Sequence, residues 1–242
     1  MKSLLPFLLL ALVAGCGGAE KQPAAAPDAR SDTVRNTVSE DGWTVLFDGS
    51  NTDHWRGFRK DHLPDAWRIE EGALAFVPDG GERGDIITRD TFGNFELTLE
   101  WKISEGGNSG IFYNVVEADR YDAVWRTGPE MQVLDDEKHP DGKDPKHRAG
   151  ALYDLIAPRV AAAKPVGAWN AVRIVLKDGH LEHWLNGEKV VETELWTPEW
   201  DALVAGSKFK DMPDFGKARS GRLALQDHGN RVWYRNIRIR AL

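Results

Sequence analysis

The sequence predicts an all-β protein: a two-sheet antiparallel β-sandwich with one short helix. Three observations predict it. Short runs of alternating apolar and polar residues recur from Trp43 to the C-terminus, separated by Gly-, Asp- and Asn-containing turns. Phe95–Ile103 alternates without a break, with Phe95, Leu97, Leu99, Trp101 and Ile103 facing one way and Glu96, Thr98, Glu100 and Lys102 the other. A single segment, Pro198 to about Ala205, carries helix signals: Thr197 as N-cap, Pro198 in the first turn, Gly206 at the end. Many short strands joined by turns bury their apolar faces by packing sheet on sheet.

Taken in order, Trp43–Phe47 alternates and stops at Asp48-Gly49. Ala66–Glu70 and Ala73–Val77 flank Glu71-Gly72, a tight hairpin. Asp85–Thr88 is short, and Asn108-Ser109-Gly110 leads into Ile111–Val115. Thr127–Asp135 is opened by Gly128-Pro129 and closed by the acidic run Asp135-Asp136-Glu137. On this strand Glu130 and Gln132 share one face, and Met131 and Val133 the other, core-facing one. Gly150–Asp154 and Trp169–Leu176 follow, then His180–Leu185 and Lys189–Glu192 around Asn186-Gly187, the strongest hairpin signal in the chain. Gly221–Asp227 and Val232–Ile239 complete the set.

The chain before this domain has a different character. Residues 1–15 read as a lipoprotein signal peptide: Lys2 is positive, Leu4–Val13 is apolar, and small residues precede Cys16. The apolar run is too short for a permanent membrane-spanning helix. Cys16 is the only cysteine, so no intrachain disulfide or thiolate metal cluster can form, and its spacing predicts lipidation and an envelope-anchored protein. Residues 16–40 are rich in Ala, Pro, Gly and charge, the composition of a disordered tether. Residues 41–242 are expected to form the sandwich domain. The formal charge of −7 becomes −8 once Lys2 leaves with the signal peptide, which argues against nucleic acid as a partner.

Several catalytic motifs are missing. There is no G-x-S-x-G elbow, no H-E-x-x-H helix and no P-loop, and Asp136–Gly142 lacks the alternating acids of an EF-hand loop. What remains is a polar set spread over strands and loops. Asn108 and Ser109 sit beside glycines that permit close approach. Glu130, Gln132 and Asp135 follow, and a carboxylate beside an amide on one strand face suits sugar binding or proton transfer, or is simply a polar solvent face. His147 closes a loop crowded with charges, Tyr153 starts the next segment, and Gln226 and His228 stand near the end. Either histidine reads equally as a solvated loop or turn residue. Arg235 and Asn236 on the last strand read equally as an edge device. The acidic loop could hold a divalent metal through oxygen ligands with His139 or His147. The ten tryptophans mostly suit core packing, and one or two in a groove would suffice to stack on a sugar ring.

The ordered series Phe47-Asp48-Gly49 with Trp55, Phe95-Glu96-Leu97 with Glu100, Asn108–Phe112, Glu130–Asp135, Gly150–Asp154, Trp169-Asn170, Trp184–Gly187, Ser207-Lys208-Phe209, Pro213–Gly216, Leu225–Gly229 and Arg235–Ile237 resembles the DUF1080, or 3-keto-disaccharide hydrolase, family from about residue 41 onward. The resemblance implies a concanavalin A-like lectin/glucanase jelly roll, secreted or lipid-anchored, that cleaves glycosides already oxidised at the sugar 3-position. A C3 ketone acidifies the C2 proton. A base removes it, the enolate expels the C1 substituent, and water adds back. On this expectation Glu130 is the base and His147 the acid or a metal ligand. Asn108, Gln132, His228 and Arg235 position substrate or stabilise the oxyanion, and Ser109, Asp135, Tyr153 and Gln226 join them as substrate-binding candidates.

Two rivals share the fold. A non-catalytic lectin would bind sugar without turnover. A conventional glucanase would place a second carboxylate across the groove from Glu130. The residue two positions on is Gln132, not an acid, which counts against the second.

Overall fold

The computed structural model describes residues 41–242. The segments expected to be a signal peptide and a tether, with Cys16, lie outside the described residues. Thirteen strands form two antiparallel sheets: β1 (Thr44–Phe47), β2 (Trp55–Gly57), β3 (Trp67–Glu70), β4 (Ala73–Phe76), β5 (Ile86–Thr88), β6 (Phe95–Ile103), β7 (Asn108–Val115), β8 (Glu130–Leu134), β9 (Asn170–Lys177), β10 (His180–Leu185), β11 (Glu188–Glu194), β12 (Arg222–Leu225) and β13 (Val232–Ala241). The eight-stranded sheet runs β11-β10-β9-β6-β13-β4-β3, with β1 also paired to β13, and the five-stranded sheet runs β2-β5-β12-β7-β8. The helix α1 (Pro198–Ala205) starts where expected, with Thr197 Oγ1 accepting from Trp200 N at 3.2 Å. No helix among the described residues is long and apolar enough to cross a membrane.

The expected sandwich is therefore present, and alternation explains its core. Phe95, Leu97, Leu99, Trp101 and Ile103 of β6 all point inward, as do Ile111 and Tyr113 of β7 and Met131 and Val133 of β8. Trp55, Trp67, Trp101 and Trp200 fill the interior. Asn186 and Gly187 both take positive φ, +52° and +89°, as a two-residue hairpin with a right-handed twist requires.

Gly150–Asp154 departs from expectation. It is not a regular strand, although Gly150 N bonds to Gln132 O, Gln132 N to Ala151 O, and Tyr153 N to Glu130 O. The chain then turns at Asp154, whose φ is +63°. This segment covers the outer edge of β8 and so removes an unpaired strand edge.

On the face of the five-stranded sheet turned away from the main core, a second apolar cluster joins Phe58, Ile87, Phe112, Val115, Tyr121, Val124 and Ala224. Glu130, Gln132 and Asn108 share that face. Register places Phe112 opposite Glu130, Gly110 opposite Gln132 and Leu134 opposite Asn108.

Candidate active site

Against this outer face lies a cavity of about 450 Å³, lined by Asn108, Trp125, Glu130, Gln132, Tyr153, Lys208, Phe209, Met212, Gln226 and His228. Strands supply its floor. Asn108 comes from β7, Glu130 and Gln132 from β8, and Gln226 from the residue after β12, whose N–H bonds to Gly110 O at 3.1 Å. Loops supply its walls, with Trp125 on a single 3₁₀ turn and Lys208, Phe209 and Met212 on the segment after α1.

Glu130 is 7% exposed. Burial pushes its carboxyl up to about 8; the Lys208 ammonium pulls the other way, while the Asp85 and Asp141 charges push further up. Its carboxylate leans over Gly110, where the absence of a side chain leaves it room. The amide orientation of Gln132 that satisfies its surroundings puts its nitrogen 3.0 Å from both Glu130 Oε1 and Ser109 O. Gln226 Oε1 is buried with no hydrogen-bond partner among the described residues. His228 is held below the usual imidazole range by burial and by the neighbouring His139.

Tyr153 forms the far wall. The His147 ring stacks on it at 4.4 Å between centroids, Lys208 Nζ lies 3.9 Å from its ring centroid, and its hydroxyl is 3.5 Å from Asp141 Oδ2. Burial, then the charges of Asp141, Glu130 and Asp154, hold the phenol protonated well above its usual range.

The structure thus brings six of the expected residues together: Asn108, Glu130, Gln132, Tyr153, Gln226 and His228. It places four elsewhere. His147 does not line the cavity: it stands behind Tyr153, its Nε2 3.0 Å from Asp154 Oδ1. Ser109 alternates inward, donating to Gln226 O at 2.7 Å and lying 2.8 Å from Tyr234 Oη. Asp135 caps a turn, accepting from the backbone N–H groups of Gly106, Glu137 and Lys138. Arg235 belongs to the eight-stranded sheet, where it pairs with Glu100 at 2.8 Å and covers Trp169.

Sequence reasoning named neither Lys208 nor the apolar walls Trp125, Phe209 and Met212 as site residues. The signal for Lys208 and Phe209 was their place in the Ser207-Lys208-Phe209 motif. Asp85 also went unnamed. Burial pushes it up to about 7, opposed by the Asp227 N–H that donates to it and reinforced by the Asp227 charge. The Ile86–Leu225 register, continued by one residue, sets Asp85 beside Gln226.

The acidic loop does not gather ligands as expected. His139 Nδ1 accepts from Asp141 N, and His147 is held by Asp154. Among the described residues, the group that could coordinate a metal is instead His180, Glu182 and Glu192, whose ligand atoms lie within 4.8 Å of one another on β10 and β11. Lys189 Nζ stands among them, 3.0 Å from Glu182 Oε1 and 2.5 Å from Glu192 Oε1.

The sequence model of a family described as the 3-keto-alpha-glucoside-1,2-lyase-like domain matches residues 42–240. A 3-keto-disaccharide hydrolase of Bacteroides thetaiotaomicron is 39% identical over 241 residues, covering 88% of this chain and 83% of that one. Two Parabacteroides distasonis structures, both provisionally named glycosyl hydrolases, have the same fold. One superposes with a TM-score of 0.76 at 32% identity, covering 86% of this chain and 99% of its own. The other gives 0.64 at 29%, covering 83% and 99%. The chain belongs to the 3-keto-alpha-glucoside-1,2-lyase-like family of glycoside-cleaving enzymes.

Proposed function

We propose that the protein cleaves 3-keto-glycosides by removing the C2 proton with Glu130, eliminating the C1 substituent and hydrating the product. The observation that carries this reading is a buried carboxyl, raised to about 8, on the floor of a sugar-sized cavity beside three amide side chains. A base of that strength is far better matched to a ketone-activated C–H than an ordinary carboxylate. Asn108, Gln132 and Gln226 offer hydrogen bonds to sugar hydroxyls, and the unpartnered Gln226 Oε1 calls for a donor. Trp125 offers an apolar face for the ring. Tyr153, whose phenol stays protonated where Glu130 ionises, is the wall group that can hand a proton to the departing oxygen.

Glu130 is the one carboxylate among the residues lining the cavity, whereas a conventional glucanase pair needs a second. Incubation with a 3-keto-glucoside and with its parent glucoside, products read by mass and NMR, tests the reading. Only the ketone should be cleaved. Equal cleavage of both would point to the glucanase, and binding of either without turnover to the lectin. The lipobox cysteine Cys16 supports an envelope location, outside the cytoplasm on a lipid anchor, where such glycosides would be met.

A further inference from the structure

Lys208 is the one Lys or Arg among the residues lining the cavity. Lys208 Nζ has no ion pair within 4.0 Å and no hydrogen-bond acceptor among the described residues. It rests instead between two rings, 3.9 Å from the Tyr153 centroid and 5.2 Å from that of Phe209. An ammonium carries three N–H donors and no acceptor, so its hydrogen-bonding capacity is turned toward the cavity it lines.

The position is built, not incidental. Asp154 Oδ2 accepts from Lys208 N at 2.8 Å, while Asp154 Oδ1 meets His147 Nε2 at 3.0 Å. The aspartate clips the Lys208 loop to the segment that carries Tyr153 along the edge of β8. Aromatic faces favour a cation there, and the nearby charges of Glu130, Asp154 and Asp141 oppose the cost that burial imposes on the ammonium. A desolvated donor of this kind, fixed before the reaction, is what stabilises an oxyanion.

We infer that Lys208 is the group that holds the C3 oxygen of the substrate and neutralises the enolate formed there. The inference rests on the C2-proton reading given above. In the first step Glu130 takes the C2 proton. The C2–H pair becomes the C2–C3 double bond, and the carbonyl π pair moves onto the C3 oxygen, whose negative charge the ammonium meets. In the second step the carbonyl re-forms, a C1–C2 double bond forms, and the C1–O bond breaks with its pair going to the leaving oxygen, which takes a proton. Lys208 loses nothing in either step. Its part is electrostatic.

The test isolates enolisation from departure of the leaving group. The probe is 3-keto-1,5-anhydroglucitol, which has an acidic C2 proton and no aglycone on C1. Wild type in heavy water should exchange C2 hydrogen, read by NMR. Lys208→Met should slow exchange by about 10²–10³-fold, with probe affinity changed far less and the circular dichroism melt preserved. Lys208→Arg should recover part of the rate. Lys208→Gln, which keeps a donor without charge, should fall between the Met variant and wild type. The acid limb of kcat/KM on a 3-keto-glucoside should also move upward in Lys208→Met, because the cation that lowers Glu130 is gone. Exchange by Lys208→Met within about twofold of wild type would overturn the inference while leaving the base assignment standing. Capture of the probe on Lys208 by cyanoborohydride would overturn it in favour of an imine. Absence of exchange and cleavage in wild type would remove both the inference and the reading beneath it.

Discussion

A β-carbon placed on Gly110 would lie 2.8 Å from Glu130 Cδ and closer still to Oε1, so the glycine is the space the carboxylate occupies. The two residues stand on neighbouring strands, with Gly110 opposite Gln132 and not opposite Glu130. The side chain of Glu130 therefore leans along β8 to reach over the empty position. Gly110 does not have positive φ, so its backbone conformation does not demand glycine. Its requirement is steric and belongs to the site.

Gly110→Ala should accordingly fold and lose activity. The added methyl displaces the carboxylate by a distance comparable to its own size, and a misplacement of about 1 Å can cost on the order of 10²-fold. Substrate binding should weaken less than turnover. Kinetics on a 3-keto-glucoside together with a thermal melt check this. Unchanged kcat would show that Glu130 need not sit where it does.

The raised carboxyl of Glu130 sets a pH dependence. If the ionised form is the base, kcat/KM should climb with pH through an apparent pKa of about 8, not near 4.5. Glu130→Gln keeps the shape and removes the base, so turnover should drop by about 10²–10⁴-fold at every pH and the acid limb should vanish. Stability should move oppositely. A carboxyl whose folded pKa lies above its unfolded value stabilises fully below about 4.5 and loses that contribution as pH rises toward about 8. The Gln variant should therefore melt higher than wild type at pH 9, where the wild-type fold must hold a buried negative charge. Below pH 4.5 the two melts should converge.

The strands were legible because alternation in Phe95–Ile103 and in Glu130–Leu134 has only one burial solution. The same rule turned Glu130 and Gln132 away from the core. It failed to gather the rest of the site because alternation says which face a residue takes and not which sheet its strand joins. Arg235, read as an edge device or a substrate-positioning residue, stands on β13 between β6 and β4 inside the eight-stranded sheet. Ser109 sits between Asn108 and Gly110, so a strand that offers Asn108 to the cavity must turn Ser109 inward. Lys208 and Trp125 reach the cavity from irregular segments, whose path depends on long-range packing and has no period to read.

His147 illustrates the same limit and carries its own prediction. It does not line the cavity, and its contacts run to Tyr153 and Asp154. His147→Ala should lower turnover less than Glu130→Gln, while loosening the Asp154 clip on Lys208. Asp154→Asn retains an acceptor and should be milder than Asp154→Ala. Steady-state kinetics of the four variants rank them. A loss in His147→Ala equal to that of Glu130→Gln would restore the histidine as a direct acid.

Anchoring can be separated from chemistry. Cys16→Ser should release the protein from the membrane fraction without altering the melt of the domain or its kinetics, since the family match begins only at residue 42. Fractionation after expression reads the first, and activity of the released form the second. Continued retention of the variant in membranes would count against lipidation.

His183 makes a prediction about the frame beneath the site. It is fully buried on β10, where Tyr113 Oη lies 3.0 Å from Nε2 and Gly150 O lies 3.2 Å from Nδ1. With Nδ1 donating to the carbonyl and Nε2 accepting from the phenol, both ring nitrogens are satisfied in the neutral form. Burial pushes its pKa down to about 4, with the Gly150 bond working the other way. The unfolded chain therefore binds a proton near 6.5 that the folded chain refuses until about 4. Stability from this residue is present above about 6.5 and is lost as pH falls toward 4, by about 3 kcal/mol in total. Gly150 opens the segment that covers β8 behind Glu130, so acid should loosen the site before it unfolds the sandwich. His183→Gln, which can still donate and accept, should flatten the stability profile between pH 4 and 6.5 at some cost in packing. Urea titrations across that range, with amide exchange of residues 150–153 as the local readout, check both parts. An equally steep acid loss in the variant would assign the transition to other groups.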